Sequence, residues 1–175
     1  MKNIFIGGVA KSGKSTLAKK LCKDEKYNHI PVDYFTASFK RNYPDVGIVS
    51  NVVVNEETSA KLSLFLSTVI GIIDTTDEKF IIDSAHINPK DIIKYLDRDK
   101  WDIYYIGYPN TTKEEKFNII RKYETNDDWT YKRSDEVLLD TLDKLIDISK
   151  KQEKECLELG IEYVDTSLGM DMLYD

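Results

Sequence analysis

One run near the N-terminus, Gly8-Val9-Ala10-Lys11-Ser12-Gly13-Lys14-Ser15, constrains this chain more than any other feature. It fits G-x-x-x-x-G-K-[ST] and lies between an apolar stretch, residues 3–6, and a segment carrying Leu17, Ala18 and Leu21 at helical spacing. The two glycines let the backbone curl until successive N–H groups point inward at an anion. A helix opening near Lys14 directs the positive end of its dipole at the same point. In such a loop the lysine reaches the β- and γ-phosphates and the hydroxyl at Ser15 ligates magnesium. The expected nucleotide-binding set is therefore Gly8, Lys11, Ser12, Gly13, Lys14, Ser15 and Thr16, with Lys14 also catalytic.

Beyond that run, the hydrophobic period alternates between strand-like and helix-like pieces. Short apolar runs predict strands at 3–6, 29–32, 80–82, 101–106 and 161–164. Helices are expected over 14–23, over 55–73 behind an Asn55 cap with Glu56 and Glu57 in the first turn, and from Asn88-Pro89 to about 96. Thr112 and Glu115 form a capping-box pattern for a helix to about 123. Ser134 caps a long amphipathic helix lined by Leu138, Leu142, Leu145 and Ile146, which Gly160 ends. Residues 42–54, with Pro44 and Gly47, read as a loop with room for a small strand, and a last short helix is expected near 168–173. Five short, continuously apolar strands separated by helices imply a parallel sheet covered on both faces, a three-layer α/β fold. No repeat, low-complexity tract or linker interrupts residues 1–175, so a single domain is expected; at that length it buries about two-thirds of its unfolded surface.

Composition removes several function classes. Hydrophobic residues at 41% and charged residues at 32% argue against disorder. The net charge of −6 and the lack of a basic run argue against a nucleic-acid partner. The longest apolar stretch, 62–73, is broken by Ser63, Ser67, Thr68 and Gly71, and at about a dozen residues falls short of the roughly 20 that a bilayer needs. No targeting segment is apparent, and Cys22 and Cys156 read as buried thiols of a reducing compartment. A cytoplasmic protein with no membrane partner is expected.

A GTPase reading needs N-K-x-D; the nearest string, Asn88-Pro89-Lys90-Asp91, lacks lysine in second place, and motor or AAA-type ATPases need more chain. What remains resembles the nucleoside and nucleotide kinase group of P-loop proteins, the adenylate-kinase-like small-molecule kinases, over nearly the whole chain. That resemblance implies a sheet order of 2-3-1-4-5, an acidic residue after the second strand, a helical substrate-binding insertion before the third, and a lid after the fourth, at about 109–133. It also implies ATP with magnesium as the donor and a small metabolite or nucleoside- or nucleotide-like acceptor.

Asp33 ends the second predicted strand, at the sheet edge that opens on the crevice in such folds. The resemblance makes it the acceptor of the attacking hydroxyl's proton; a helix cap is the alternative. Asp83 ends the third strand and, beside Ser15, is the second expected magnesium residue. The stretch from Ile81 to Pro89 is similar to the strand end of the 2-phosphoglycerate kinase kind, with Asp83-Ser84 in place of Glu-Gly. His86 reads as a substrate contact or a structural residue. In the lid, Arg121 is the expected catalytic cation; Lys122, Lys132 and Arg133 are further candidates, against an exposed charged face. Lys40 and Arg41 read as acceptor ligands or surface charges, and Tyr34, Phe35, Phe39 and Tyr43 as a stacking surface or core. Asp165 reads as part of a nucleotide-base loop or as a cap. Two rivals to a small-molecule kinase are a polynucleotide 5′-hydroxyl kinase, which the acidic balance disfavours, and a regulatory ATP-binding module, which would not need Asp33.

Overall fold

The computed structural model describes residues 1–169. Five strands form one sheet: β1 (Asn3–Gly8), β2 (Asn28–Pro31), β3 (Phe80–Asp83), β4 (Trp101–Gly107) and β5 (Glu162–Asp165). The order is β2-β3-β1-β4-β5 and every pairing is parallel, with Ile6 opposite Asp83 on one side and Tyr104 on the other. This is the expected order. β1 is buried along its whole length, which is why its sequence is apolar without alternation.

Alternate residues of the strands feed opposite faces. Phe5, Ile82, Ile103 and Tyr105 pack with Leu62, Leu66 and Ile70 of α3 (Glu56–Ile73) and with Cys156 of α6 (Asp135–Leu159). Ile4, Ile6, Ile81 and Ile106 pack with Ala18, Leu17 and Leu21 of α1 (Lys14–Glu25). A third cluster sits above the strand ends, where Val9 and Tyr108 meet Ile120 of α5 (Lys113–Tyr123) and Leu138, Leu142, Leu145 and Ile146 of α6.

Caps fix most helix ends. Asn55 Oδ1 accepts from Thr58 N at 2.9 Å, the Thr112–Glu115 box forms in both directions, and Gly160 stops α6 at φ 63°. Asn88 does not cap with its side chain; its own N–H donates to Ser59 Oγ instead. The helix it precedes, α4 (Pro89–Ile92), is one turn long and continues as a 3₁₀ turn through Tyr95. Residues 42–54 hold a 3₁₀ turn at Pro44–Val46 and no strand, since Pro44 and Gly47 favour tight turning over extension. Most of the helix expected near 168–173 lies outside the described residues. Among the described residues no helix is long and apolar enough to cross a membrane.

Candidate active site

Local backbone chemistry shapes the loop between β1 and α1. Gly8 has φ 130°, and a Cβ there would sit 1.9 Å from the Ile106 carbonyl oxygen of β4, so only glycine fits. Gly13 (φ 100°) turns the chain into α1, and Lys11 takes φ 60° between them. Two outside residues brace the loop. Tyr108 Oη donates to the Ala10 carbonyl at 2.8 Å, and the Thr166 hydroxyl, just past β5, lies 3.3 Å from the Ser12 carbonyl.

Lys14 is buried; its Nζ donates to the Val9 carbonyl at 2.5 Å, across the mouth of the loop it belongs to. Burial pulls its pKa down to about 8, against the opposing pull of Asp83 and Asp33. Next to it, Ser15 Oγ donates to Asp83 Oδ2 at 3.0 Å, while Asp83 Oδ1 lies 2.6 Å from His29 Nε2. A hydroxyl and a carboxylate oxygen side by side suit magnesium, a hard cation that takes few protein oxygens and keeps waters or phosphate oxygens for the rest. Among the described residues no three His, Cys, Asp or Glu side chains are gathered to hold a metal by themselves.

Asp33 is the first residue of α2 (Asp33–Asn42), and its side chain makes no capping bond. Its Oδ1 is 3.2 Å from His86 Nε2 instead, and that hydrogen bond holds the Asp33 carboxyl below its usual range. Lys14, Ser15, Thr16, Asp33 and Asp83 all line one cavity of about 440 Å³, closed on its far side by Lys116, Ile119, Ile120 and Tyr123 of α5 and by Trp129. The structure thus brings together the loop and both predicted carboxylates.

It does not bring Arg121 there. That guanidinium pairs with Glu124 and Asp135, each at 2.7 Å, and donates to the carbonyls of Thr130 and Arg133. The helix explains why: Lys116 and Ile120 are four residues apart and share the cavity face, whereas Arg121 is rotated about 140° from Lys116. Lys116 was not among the sequence-derived candidates. It is 3% exposed, its ammonium sits 4.1 Å from the centre of the Tyr108 ring, and among the described residues no carboxylate or carbonyl bonds it. Burial, with Lys11 and Lys14 nearby, lowers its pKa to about 8. Lys11 is paired with Asp128. Lys132, Arg133, Lys40 and Arg41 are exposed and outside the cavity lining. Phe35 and Phe39 pack edge-on against Phe65, so they belong to the core, while Tyr34 and Tyr43 are exposed. Asp165 accepts from Ser167 and Asn110 and caps no described helix.

No family model matches the sequence, and no curated protein is detectably similar to it. Solved structures are similar in shape. Shikimate kinase from Bacteroides thetaiotaomicron matches with a TM-score of 0.54 at 15% identity, over 93% of this chain and 85% of that one. A gluconokinase from Sinorhizobium meliloti gives 0.53 at 13%, over 82% and 74%, and an unliganded sugar kinase from a Janibacter species gives 0.53 at 16%, over 83% and 78%. The fold is that of the P-loop kinases. Within the P-loop kinase fold the cavity lies where parallel sheets open their crevice, at the carboxyl ends of the strands.

Proposed function

We propose that the chain is an ATP-dependent kinase that transfers the γ-phosphoryl group to a hydroxyl of a small metabolite or nucleoside-like acceptor. One observation carries the reading: Lys14 and Ser15 from the P-loop, Asp83 from β3 and Asp33 after β2 line the same cavity. The structural neighbours named for shikimate, gluconate and sugars support a small hydroxyl-bearing acceptor. A polynucleotide acceptor is disfavoured by the net charge of −6, and two unpaired cysteines accord with a cytoplasmic setting.

In this reading the P-loop N–H groups and Lys14 hold the β- and γ-phosphates, and Ser15 and Asp83 would hold a magnesium ion. Magnesium, when bound, offsets the charge that builds on the phosphate oxygens. Lys116 replaces Arg121 as the cation supplied by the lid. The acceptor oxygen bonds to the γ-phosphorus as the bond from that phosphorus to the β–γ bridging oxygen breaks, and the hydroxyl proton passes to the Asp33 carboxylate. His86 keeps that carboxylate ionised and turned to the cavity. A carboxylate with a lowered pKa is a weak base, which suits a reaction dominated by positioning and late proton transfer.

The test is acceptor-dependent ADP release from wild type and Asp33→Asn over nucleosides, sugars, sugar acids and amino alcohols. At least one compound should stimulate the wild type. With that compound Asp33→Asn should be slower by roughly 10² to 10⁴ while still binding ATP. A wild type that no acceptor stimulates would favour a regulatory ATP-binding module instead, and an Asp33→Asn protein with undiminished transfer would remove Asp33 as the base.

A further inference from the structure

The chain contains two histidines, and each is bonded to one of the two cavity-lining aspartates that follow β2 and end β3. The pairs are crossed. His29 lies on β2 yet reaches Asp83 at the end of β3, whereas His86 follows β3 yet reaches Asp33 at the start of α2. The crossing follows from β2 and β3 being parallel neighbours with Pro31 opposite Asp83, so that each strand end lies within side-chain reach of the other.

At Asp83 the geometry is complete. Oδ1 takes His29 Nε2 at 2.6 Å, and Oδ2 takes Ser15 Oγ at 3.0 Å. The carboxylate is 7% exposed and the imidazole 18%, so solvent does little to loosen the pair. Asp83 is the last residue of its strand, where a carboxylate without a second partner would rotate about its side-chain bonds. Held on one oxygen by the ring, it presents the other beside the Ser15 hydroxyl in one direction only. We infer that His29 is a positioning residue for the magnesium site, donating from Nε2 to Asp83 so that Oδ2 stays aimed at the metal position beside Ser15. The inference rests on the kinase reading above, and it adds a residue outside the P-loop and the cavity lining to the machinery. Partners of this kind, one step behind a metal ligand, typically change metal affinity by 10- to 100-fold when removed.

Two amide substitutions separate positioning from mere strand packing. Glutamine places its amide nitrogen where His29 Nε2 lies, and asparagine, with the same group one carbon shorter, does not reach. The measurement is manganese binding to the protein–ADP complex by electron paramagnetic resonance, with ADP binding in chelator as the reference. His29→Asn should weaken manganese binding about tenfold or more, and His29→Gln should stay within about threefold of wild type. ADP binding without metal should be the same in all three proteins. Equal loss in both variants, or no loss in His29→Asn, would overturn the inference. A wild type that binds neither ADP nor manganese would bring down the kinase reading first, and the role of His29 with it.

Discussion

Lys116 carries an uncompensated electrostatic cost: it is a buried ammonium over an aromatic face, with two further lysines near it and, among the described residues, no anion bonded to it. A protein retains such a group where an anionic ligand supplies the missing partner. Lys116→Met keeps the volume and removes the charge. It should stabilise the ligand-free protein by roughly 1 kcal/mol or more, which is about 3 °C for a chain of this length. The same change should weaken ATP binding about tenfold, the scale of one charge-assisted hydrogen bond. The pH dependence has a definite sign. Lys116 and Lys14 are lowered from 10.5 to about 8 by folding, so between those values the unfolded chain binds more protons and stability rises with pH. Below about pH 8 the cost of both charges is fully present. The gain in melting temperature from Lys116→Met should therefore be largest near pH 7 and shrink by pH 9.5. A variant that melts below wild type, or a gain that ignores pH, would mean that Lys116 is already well paired.

The elements explain what was legible in the sequence and what was not. All five strands read as short apolar runs and were found, with β2 and β5 displaced by one residue, β3 and β4 ending one residue later than expected and β1 two residues later. The P-loop was legible because Gly8 and Gly13 are demanded by backbone geometry alone. Helix faces were harder. Choosing a lid cation required the phase of α5 against the cavity: Ile120 on the core face placed Lys116 there too and turned Arg121 toward Glu124 and Asp135. The crossed histidines were not legible, because the periodicity of β2 does not say which neighbouring carboxylate a side chain will meet. Nor were the braces on the P-loop, which join Ala10 to Tyr108 and Ser12 to Thr166 across the sheet. Tyr108→Phe tests the first brace, since it keeps the ring beneath Lys116 and removes only the hydroxyl. It should cost about 1 kcal/mol in thermal or denaturant unfolding, and a less fixed loop should raise KM for ATP more than it lowers kcat. A kcat effect with unchanged KM would mean that the hydroxyl acts elsewhere.

Across the whole molecule, the cavity is a junction between the sheet, which supplies the P-loop and both aspartates, and the segment after β4, which supplies Lys116, Tyr123 and Trp129. Among the described residues one ion pair joins the two sides directly: Lys11 of the P-loop and Asp128 of the loop after α5, 117 residues apart. Asp128 is well placed to keep the pair, because it also accepts from Thr125 N–H, and its carboxyl is held below the usual range by Lys11 first and Thr125 second. Under the proposed function Lys11 meets phosphate, and phosphate and Asp128 would then compete for one ammonium. A partly exposed pair of this kind contributes about 1 kcal/mol or less to folding, so breaking it should hardly move the melting temperature. Its effect on binding should be larger in proportion, because a phosphate oxygen that takes over Lys11 must first displace a carboxylate. Asp128→Asn keeps the shape and the loop contact with Thr125 while removing the competing charge. It should tighten ATP binding about three- to tenfold in low salt, and the advantage should fade as ionic strength shortens the screening length below about 8 Å. Titration calorimetry at two salt concentrations reads both effects. An Asp128→Asn protein that binds ATP more weakly would show that the pair closes the lid over the nucleotide instead of competing with it, and one with unchanged affinity at low salt would remove Lys11 from the phosphate contacts.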